Sequence, residues 1–394
     1  MVSNKAVRRG VRACKRMNFA GASSIRTSRV QCVSQSKREL KGCRRKRWIM
    51  GRQGSRDRRS NRPSNRQKRY GGTRKIALEE RHKDEVQTMD EKAEKRFDVK
   101  PSPMGFPSEM EEPRTFSFDW VLSPVPLSSE ERVADVVMRR GEFGWVEDER
   151  LDEIAEFVKG QNMSLDQALS LRSALLQQKT VYSHGKLKSK AKQMAAKYRS
   201  GTSIVELSRN FDFPPMNVFR AVLEANGWSK NKIKDSLRSP SSMKQREQDE
   251  FKAAEAADRV SNVDQSETQV RADLFEDVLA DWFEEQGVRL RRQPEMVAEQ
   301  KAEHGRPIRT PDLLFLDHVI INGRPVSWID AKHFYGGDVD FQRKKTKKQM
   351  LRYIDEWGSG AIVYRHGFSE NLYIPGVTML DASPLDLSVF DEGL

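Results

Sequence analysis

A chain of 394 residues with a net charge of +14 has room for about two domains, and it carries that charge unevenly. Residues 1–78 hold 25 Lys and Arg against two acids, Glu39 and Asp57, so this stretch carries +23 and the remainder −9. Cys14, Cys32 and Cys43 all lie in the basic stretch, which excludes a disulfide framework or Cys-rich zinc site from the rest. No apolar run approaches the ~20 residues of a membrane helix, and the opening residues lack the apolar core of a secretory signal. The expectation is an intracellular protein that does not associate with membranes.

In chain order, residues 1–116 read as a disordered polybasic tail. They are rich in Arg, Ser, Gly and Asn, and offer little apolar surface to offset the entropy of ordering. Such a tail attracts phosphate backbones in a salt-dependent way. Arg44-Arg45-Lys46-Arg47 resembles a nuclear import signal, so the nucleus is the expected compartment. The mix of Arg, Ser and Ala before Glu39 also suits a mitochondrial or plastid transit segment, and a cytoplasmic tail with no targeting role is the third reading.

Residues 117–240 read as a helical domain. Leu151, Ile154, Ala155 and Val158 recur at helical spacing, and Ser164 is placed to cap a helix running to Gln178. A basic helix over 186–200 ends at Gly201. A short helix over Ser203–Asn210 then meets the turn Asp212-Phe213-Pro214 and a helix from Pro215 to Asn226, stopped by Gly227. This outline is helix-turn-helix-like, and Asn217, Arg220 and Glu224 would face a DNA groove. An ordinary helical bundle fits equally well, and the acid at 224 works against DNA contact. Residues 241–268 are polar and Ala-rich, and read as a linker or an exposed helix.

From 269 to 394 the pattern changes to α/β. A helix over Ala272–Gln286 carries Leu274, Phe275, Val278, Leu279, Trp282 and Phe283 on one face. Val288–Arg292 reads as a strand. Two further strands, Leu313–Ile321 and Pro325–Lys332, flank Asn322-Gly323, a dipeptide favouring tight hairpins. A helix over Asp340–Trp357 stops at Gly358. Ala361–Tyr364 is a short strand, and Leu372–Leu380 another candidate. The order α, β, β, β, α, β describes helices packed on a mixed sheet.

Chemistry concentrates on the hairpin. Alternate residues of a strand share a face, so Asp330 and Lys332 project together while Ala331 points away. The hairpin brings Asp312 near Asp330. Two carboxylates and an ammonium suit Mg²⁺, with Mn²⁺ as a substitute; the ion completes its shell with water and substrate phosphate. Basic side chains at Arg343, Lys344, Lys345, Lys347 and Lys348 border this site, as a phosphate-gripping patch or a solvated helix face. His333 is expected to be structural, and neither His318 nor His366 has a partner at ligand spacing.

The blocks Thr310-Pro311-Asp312-Leu313, Trp328-Ile329-Asp330-Ala331-Lys332, Gln349-Met350-Leu351-Arg352-Tyr353 and Gly360-Ala361-Ile362-Val363-Tyr364 together resemble the codanin-interacting nuclease family. That family lies within the PD-(D/E)xK, or restriction-endonuclease-like, superfamily. The resemblance covers about residues 170–394, including Leu237-Arg238-Ser239-Pro240. It implies a Mg²⁺-dependent nuclease fold of αβββαβ type, a helix-turn-helix region before it, and codanin as a partner. By position it makes Asp312 and Asp330 metal ligands, where close relatives often have Glu in place of Asp330, and Lys332 the motif lysine. Glu276 matches the acid on the helix before the core, as a further catalytic and metal-binding residue. Gln349 and Tyr353 resemble the Gln-x-x-x-Tyr element of RecB-type nucleases, which helps place substrate. The resulting expectation is a nuclease cleaving phosphodiester bonds, in DNA ahead of RNA. The rivals are a catalytically inactive adaptor with a nuclease fold and a helix-turn-helix regulator.

Overall fold

The computed structural model describes residues 72–260 and 265–390, excluding side chains at 72–74 and 265–268. Residues 1–71, with the import-like run and all three cysteines, lie outside the described residues.

The first described segment departs from the expected disordered tail. Residues 72–94 form α1 (Gly72–Arg81) and α2 (Lys83–Glu94), and β1 (Thr115–Phe118) follows. Composition suggested disorder because few of these residues are apolar; long-range contacts supply the order instead. Ala93 is fully buried, Met89 packs into the core, and Asp90 accepts from Arg324 at 3.0 Å. Arg96 is buried and donates to the carbonyls of Ala93 and Asp317.

Eight helices come next. The first three, α3 (Leu127–Val137), α4 (Asp148–Val158) and α5 (Leu165–Tyr182), share a core of Val133, Ile154 and Leu171. Ser164 caps α5 through a full capping box with Gln167, which satisfies two otherwise orphaned backbone donors. A second core joins α6 (His184–Arg199), α7 (Ile204–Phe211), α8 (Pro215–Ala225), α9 (Lys230–Arg238) and α10 (Gln245–Ala256). Asp212, at φ 63°, closes α7 in the left-handed conformation, and Pro215 opens α8. Of the two readings for 241–268, a linker or an exposed helix, the structure shows the helix over Gln245–Ala256, with Phe251 and Ala254 turned inward. Phe251 and Ala254 of α10 are buried, and Phe251 lies 6.0 Å, ring to ring, from Phe219 of α8, so α10 completes this bundle. Two apolar positions in a polar, Ala-rich helix gave too faint a stripe to read.

The remaining elements are α11 (Gln265–Glu285), β2 (Leu290–Arg292), α12 (Gln293–His304), β3 (Leu313–Ile321), β4 (Arg324–Lys332), α13 (Asp340–Trp357), β5 (Gly360–Tyr364) and β6 (Val377–Asp381). The protein is mixed α/β, with a six-stranded sheet in the order β1-β3-β4-β5-β6. The β3–β4 pair is antiparallel, while β4–β5, β5–β6 and β1–β3 are parallel. Antiparallel β2 occupies the β3 edge beside Leu313–Phe315, beyond the stretch that β1 covers. Asn322 and Gly323, at φ 51° and 76°, form the tight hairpin turn their identities favour.

Helix α11 covers one face of the sheet through Phe275, Leu279 and Phe283. Helix α13 covers the other, with Met350, Ile354 and Trp357 packed on Trp328 and Ile362. Helix α12, between β2 and β3, was not expected from the sequence. Among the described residues, no helix is long and apolar enough to cross a membrane.

Strands β3 and β4 are not in continuous register: Leu314 pairs with Trp328, but Val319 with Val326. The extra β3 residues form a bulge holding Asp317, whose side chain is fully buried. Its carboxylate accepts from the backbone N–H of Arg114 and of Arg289, each at 2.9 Å, and from both guanidinium groups. Burial opposes ionisation, but these donors outweigh it and hold the Asp317 carboxyl well below the usual carboxylate range.

Asp317→Ala is therefore expected to cost about 3–5 kcal/mol in urea unfolding, since it strands a part-buried arginine and two backbone donors. With its folded pKa depressed, Asp317 contributes stability above the unfolded value of ~3.9 that is lost as pH falls through the folded value. Asp317→Asn should accordingly flatten the acid limb of stability against pH.

Candidate active site

The β3–β4 register that pairs Leu313 with Ile329 sets Asp312 opposite Asp330 when extended by one residue. Asp312 is 6% exposed and Asp330 fully buried. The Asp312 carboxylate grips the β4 backbone: Oδ2 accepts from the Ala331 N–H at 2.6 Å. Its Oδ1 accepts from Gln293 Nε2 at 2.6 Å, and its main-chain carbonyl from Gln293 N at 2.9 Å. Asp330 Oδ1 accepts from Gln349 Nε2 at 2.9 Å, and Oδ2 is ion-paired with Lys332 Nζ. Alternation along β4 thus puts Asp330 and Lys332 on the α13 side, while Ala331 joins the α11 core.

Gln349 and Tyr353, one turn apart on α13, work as a pair. Gln349 also donates to Tyr353 Oη at 3.3 Å, and Tyr353 donates to the Thr310 carbonyl at 3.1 Å. The helix is thereby tied to Asp330 and to the segment entering Asp312.

Electrostatics follow from crowding acids in a dry place. Burial pushes the Asp312 carboxyl well above the ordinary range; the Asp330 charge adds to this and Lys332 opposes it. Half-buried Glu276 on α11 is pushed up to about 7, by burial and then by Asp273, with smaller influences from Lys332 and Asp330. Burial alone would lower the Lys332 pKa, but Asp330 and Asp312 more than reverse it. Burial, then the Asp330 charge, pushes Tyr353 up to about 12. Asp312, Asp330, Lys332, Gln349 and Tyr353 are therefore linked by direct bonds and an ion pair, and Glu276 is joined to them by charge alone. Among the described residues, no group of three or more His, Cys, Asp or Glu side chains is arranged to hold a metal ion.

Part of the chain matches a known sequence family. Residues 243–383 match the model described as "Protein of unknown function TPD sequence-motif", and Thr310-Pro311-Asp312 lies inside the matched stretch. The chain is also similar to "Uncharacterized protein L539" of Acanthamoeba polyphaga mimivirus, 30% identical over 119 residues. That similarity covers 29% of this chain and 42% of the viral protein, so the chain spans less than half of its relative. No solved structure matches. The TPD match thus covers both carboxylates, the lysine and the Gln349–Tyr353 pair.

Other expected site residues are placed elsewhere. Lys344 is ion-paired with Asp340, which also accepts from Tyr182 Oη on α5, so it faces the helical region. Arg343 is held by Asp338 and Asp340. Lys348 is exposed, and it is Lys345 that lines the cavity beside Lys332 and Gln349. Asn217 and Arg220 lie on the narrow unburied strip of α8, in the second bundle, and do not line that cavity. Seven of the eleven residues of α8 are buried, which makes it the centre of its bundle. His333 packs against His366 and Phe390 beside Arg365, as a structural residue would, and burial brings its pKa down to about 4.

Sequence reasoning missed Gln293. Its signal was faint: a glutamine before Pro294, opening a helix whose apolar pattern is too sparse to read.

In metal-free solution Lys332 is the balancing charge for buried Asp330. Lys332→Met should therefore cost about 3–5 kcal/mol in urea unfolding with EDTA, and adding Asp330→Asn should restore most of it. Asp312→Asn should instead hold or raise stability. A carboxyl with a raised folded pKa loses stability as pH climbs from ~3.9 through that value, and asparagine has no such charge.

Proposed function

We propose that the C-terminal region is a metal-dependent nuclease of the PD-(D/E)xK type, with a restriction-endonuclease-like core, hydrolysing phosphodiester bonds in DNA. One observation carries the reading. Two carboxylates from the two arms of one hairpin are buried together, and a single lysine stands against them. With Glu276 nearby, the acids outnumber the ammonium three to one in a poorly solvated place. Such crowding is relieved either by protons, which the raised Asp312 and Glu276 pKa values favour, or by a bound cation.

The donor set fits Mg²⁺ better than a closed, multi-ligand metal site. Mg²⁺ typically takes one or two carboxylates and keeps water or phosphate in its remaining positions. Asp312 and Asp330 would hold it, with Glu276 at the margin. Bound there, it would supply charge neutralisation and a more acidic water.

The chain's own residues do the rest. The Ala331 N–H and Gln293 fix both oxygens of Asp312, and Gln349 fixes one oxygen of Asp330, so neither acid has to reorganise on binding substrate. The Lys332 ammonium, steered by Asp330, is a point charge suited to the phosphate oxygens as negative charge grows there. Tyr353 and Gln349 keep α13 in place behind that pair.

On labelled single-stranded, duplex, flap and junction DNA with Mg²⁺ or Mn²⁺, the intact chain is expected to cut at least one substrate, and EDTA to abolish cutting. Asp312→Ala, Asp330→Ala and Lys332→Ala should each lower the rate by at least ~10²-fold, and Gln349→Ala by ~10–100-fold. Mg²⁺ should also raise the melting temperature of the parent, but not that of Asp312→Ala. An intact chain that cuts none of the four substrates with either metal overturns the reading.

A further inference from the structure

A cavity of about 500 Å³ opens beside Lys332 and Gln349, between α5 and α13. Among the described residues its wall carries four cationic side chains, Arg172, Arg259, Lys332 and Lys345, and no acid. Half-buried Phe334 and Phe341 line it as well. The helical region is thus the second wall of the site.

Two features of the wall point to an absent ligand. Arg172 Nε and Gln342 Oε1 are buried with no hydrogen-bond partner among the described residues. Arg172 itself is 6% exposed, and its bonds to Glu142 and Gly144 are all 3.4–3.5 Å, longer than the ~2.7–3.2 Å of well-formed ones. A buried guanidinium held so loosely is poorly satisfied by the protein alone. An anionic, planar ligand would satisfy it.

Trp145, 70% exposed, lines a neighbouring cleft with Glu142, Glu147, Arg140 and Arg150, and is joined to this cavity's wall through Arg259. The Arg259 guanidinium lies over its ring at 3.5 Å from the centroid. The loop is fixed from behind: Arg259 N donates to the Phe143 carbonyl at 2.9 Å, and a Cβ on Gly144 would come within 3.2 Å of the Ala257 carbonyl oxygen. Trp145 is therefore an exposed ring on a tied loop, stacked on one cationic wall residue and adjoining Gly144, whose carbonyl faces another.

Size decides which nucleic acid fits. A sphere of 500 Å³ is roughly 10 Å across, less than the ~12 Å width of a duplex major groove alone. Cations for phosphate and aromatic faces for bases are the elements of single-strand binding sites.

We propose that Trp145, backed by Arg259, is a stacking platform that admits an unpaired nucleic-acid strand into this cavity and towards Lys332. The inference rests on the nuclease reading for what happens at Lys332, and it narrows the substrate to a single strand, flap or frayed end.

The test uses the full chain in EDTA, so that no cutting intervenes, at about 200 mM salt to weaken attraction by the basic N-terminal stretch. The probe is an oligonucleotide with 2-aminopurine near one end, whose fluorescence falls when it stacks. The single strand and a flap are expected to be quenched, and a blunt duplex of the same sequence to be neither quenched nor an effective competitor. Trp145→Ala should abolish the quench and weaken single-strand binding about tenfold, while Trp145→Phe retains both. A Trp145→Ala protein that quenches like the parent, or a blunt duplex that competes as well as the single strand, overturns the proposal. If the chain cuts DNA in Mg²⁺ while Trp145→Ala quenches normally, the platform fails and the nuclease stands. If the quench depends on Trp145 but nothing is cut, the platform stands and the nuclease fails.

Discussion

Two carboxylates and one ammonium, buried at the open end of a β-hairpin, set the terms for the surrounding structure. A buried acid pair is unfavourable, and each neighbouring element supplies part of what keeps Asp312 and Asp330 in place. The β4 backbone donates through Ala331, α12 through Gln293, and α13 through Gln349. Tyr353 carries the network on to Thr310. The bonds hold both side chains rigidly, although burial and the Asp330 charge push the Asp312 carboxyl up.

A second buried carboxylate shows the opposite solution. Asp317 gathers two arginines and two backbone N–H groups, so its charge is fully matched. It ties the segment before β1 and the start of β2 into the β3 bulge, and the Arg96 side chain donates to its carbonyl. Matched Asp317 holds the edge of the sheet; Asp312 and Asp330 are met by fewer donors and by one ammonium. Burial is similar in the two places, and the count of donors is what distinguishes them.

The helical region is more than an attachment. Phe341 N donates to Gln178 on α5, and Tyr335 N to Ser170. These bonds fix α5 against α13 and close the cavity over Lys332. The charge gathered on that wall comes from three places in the chain: Arg172 from α5, Arg259 from the segment after α10, and Lys345 from α13. Meanwhile α8, whose position after a tight turn suggested a reading helix, is spent mainly on its own core.

The sequence alone determined the hairpin, because Asn322-Gly323 favours one turn, and with it the meeting of Asp312, Asp330 and Lys332. It also determined α13, the capped helix after Ser164 and the helix opened by Pro215, since all of these are local signals of period or helix start. The pairing of Gln349 with Tyr353 came from the family resemblance. Only the tertiary structure decided the rest. Residues 72–118 look disordered by composition but are ordered by Ala93, Arg96 and the edge of β3, and α10 looks like a linker until Phe251 meets Phe219. Gln293 is coupled to Asp312, and Arg172 to the cavity beside Lys332, over 19 and 160 positions, separations that carry no periodic trace. Periodicity records which face of an element is buried. It does not record what that face is buried against, and the reach of the site beyond its hairpin depends on those partners.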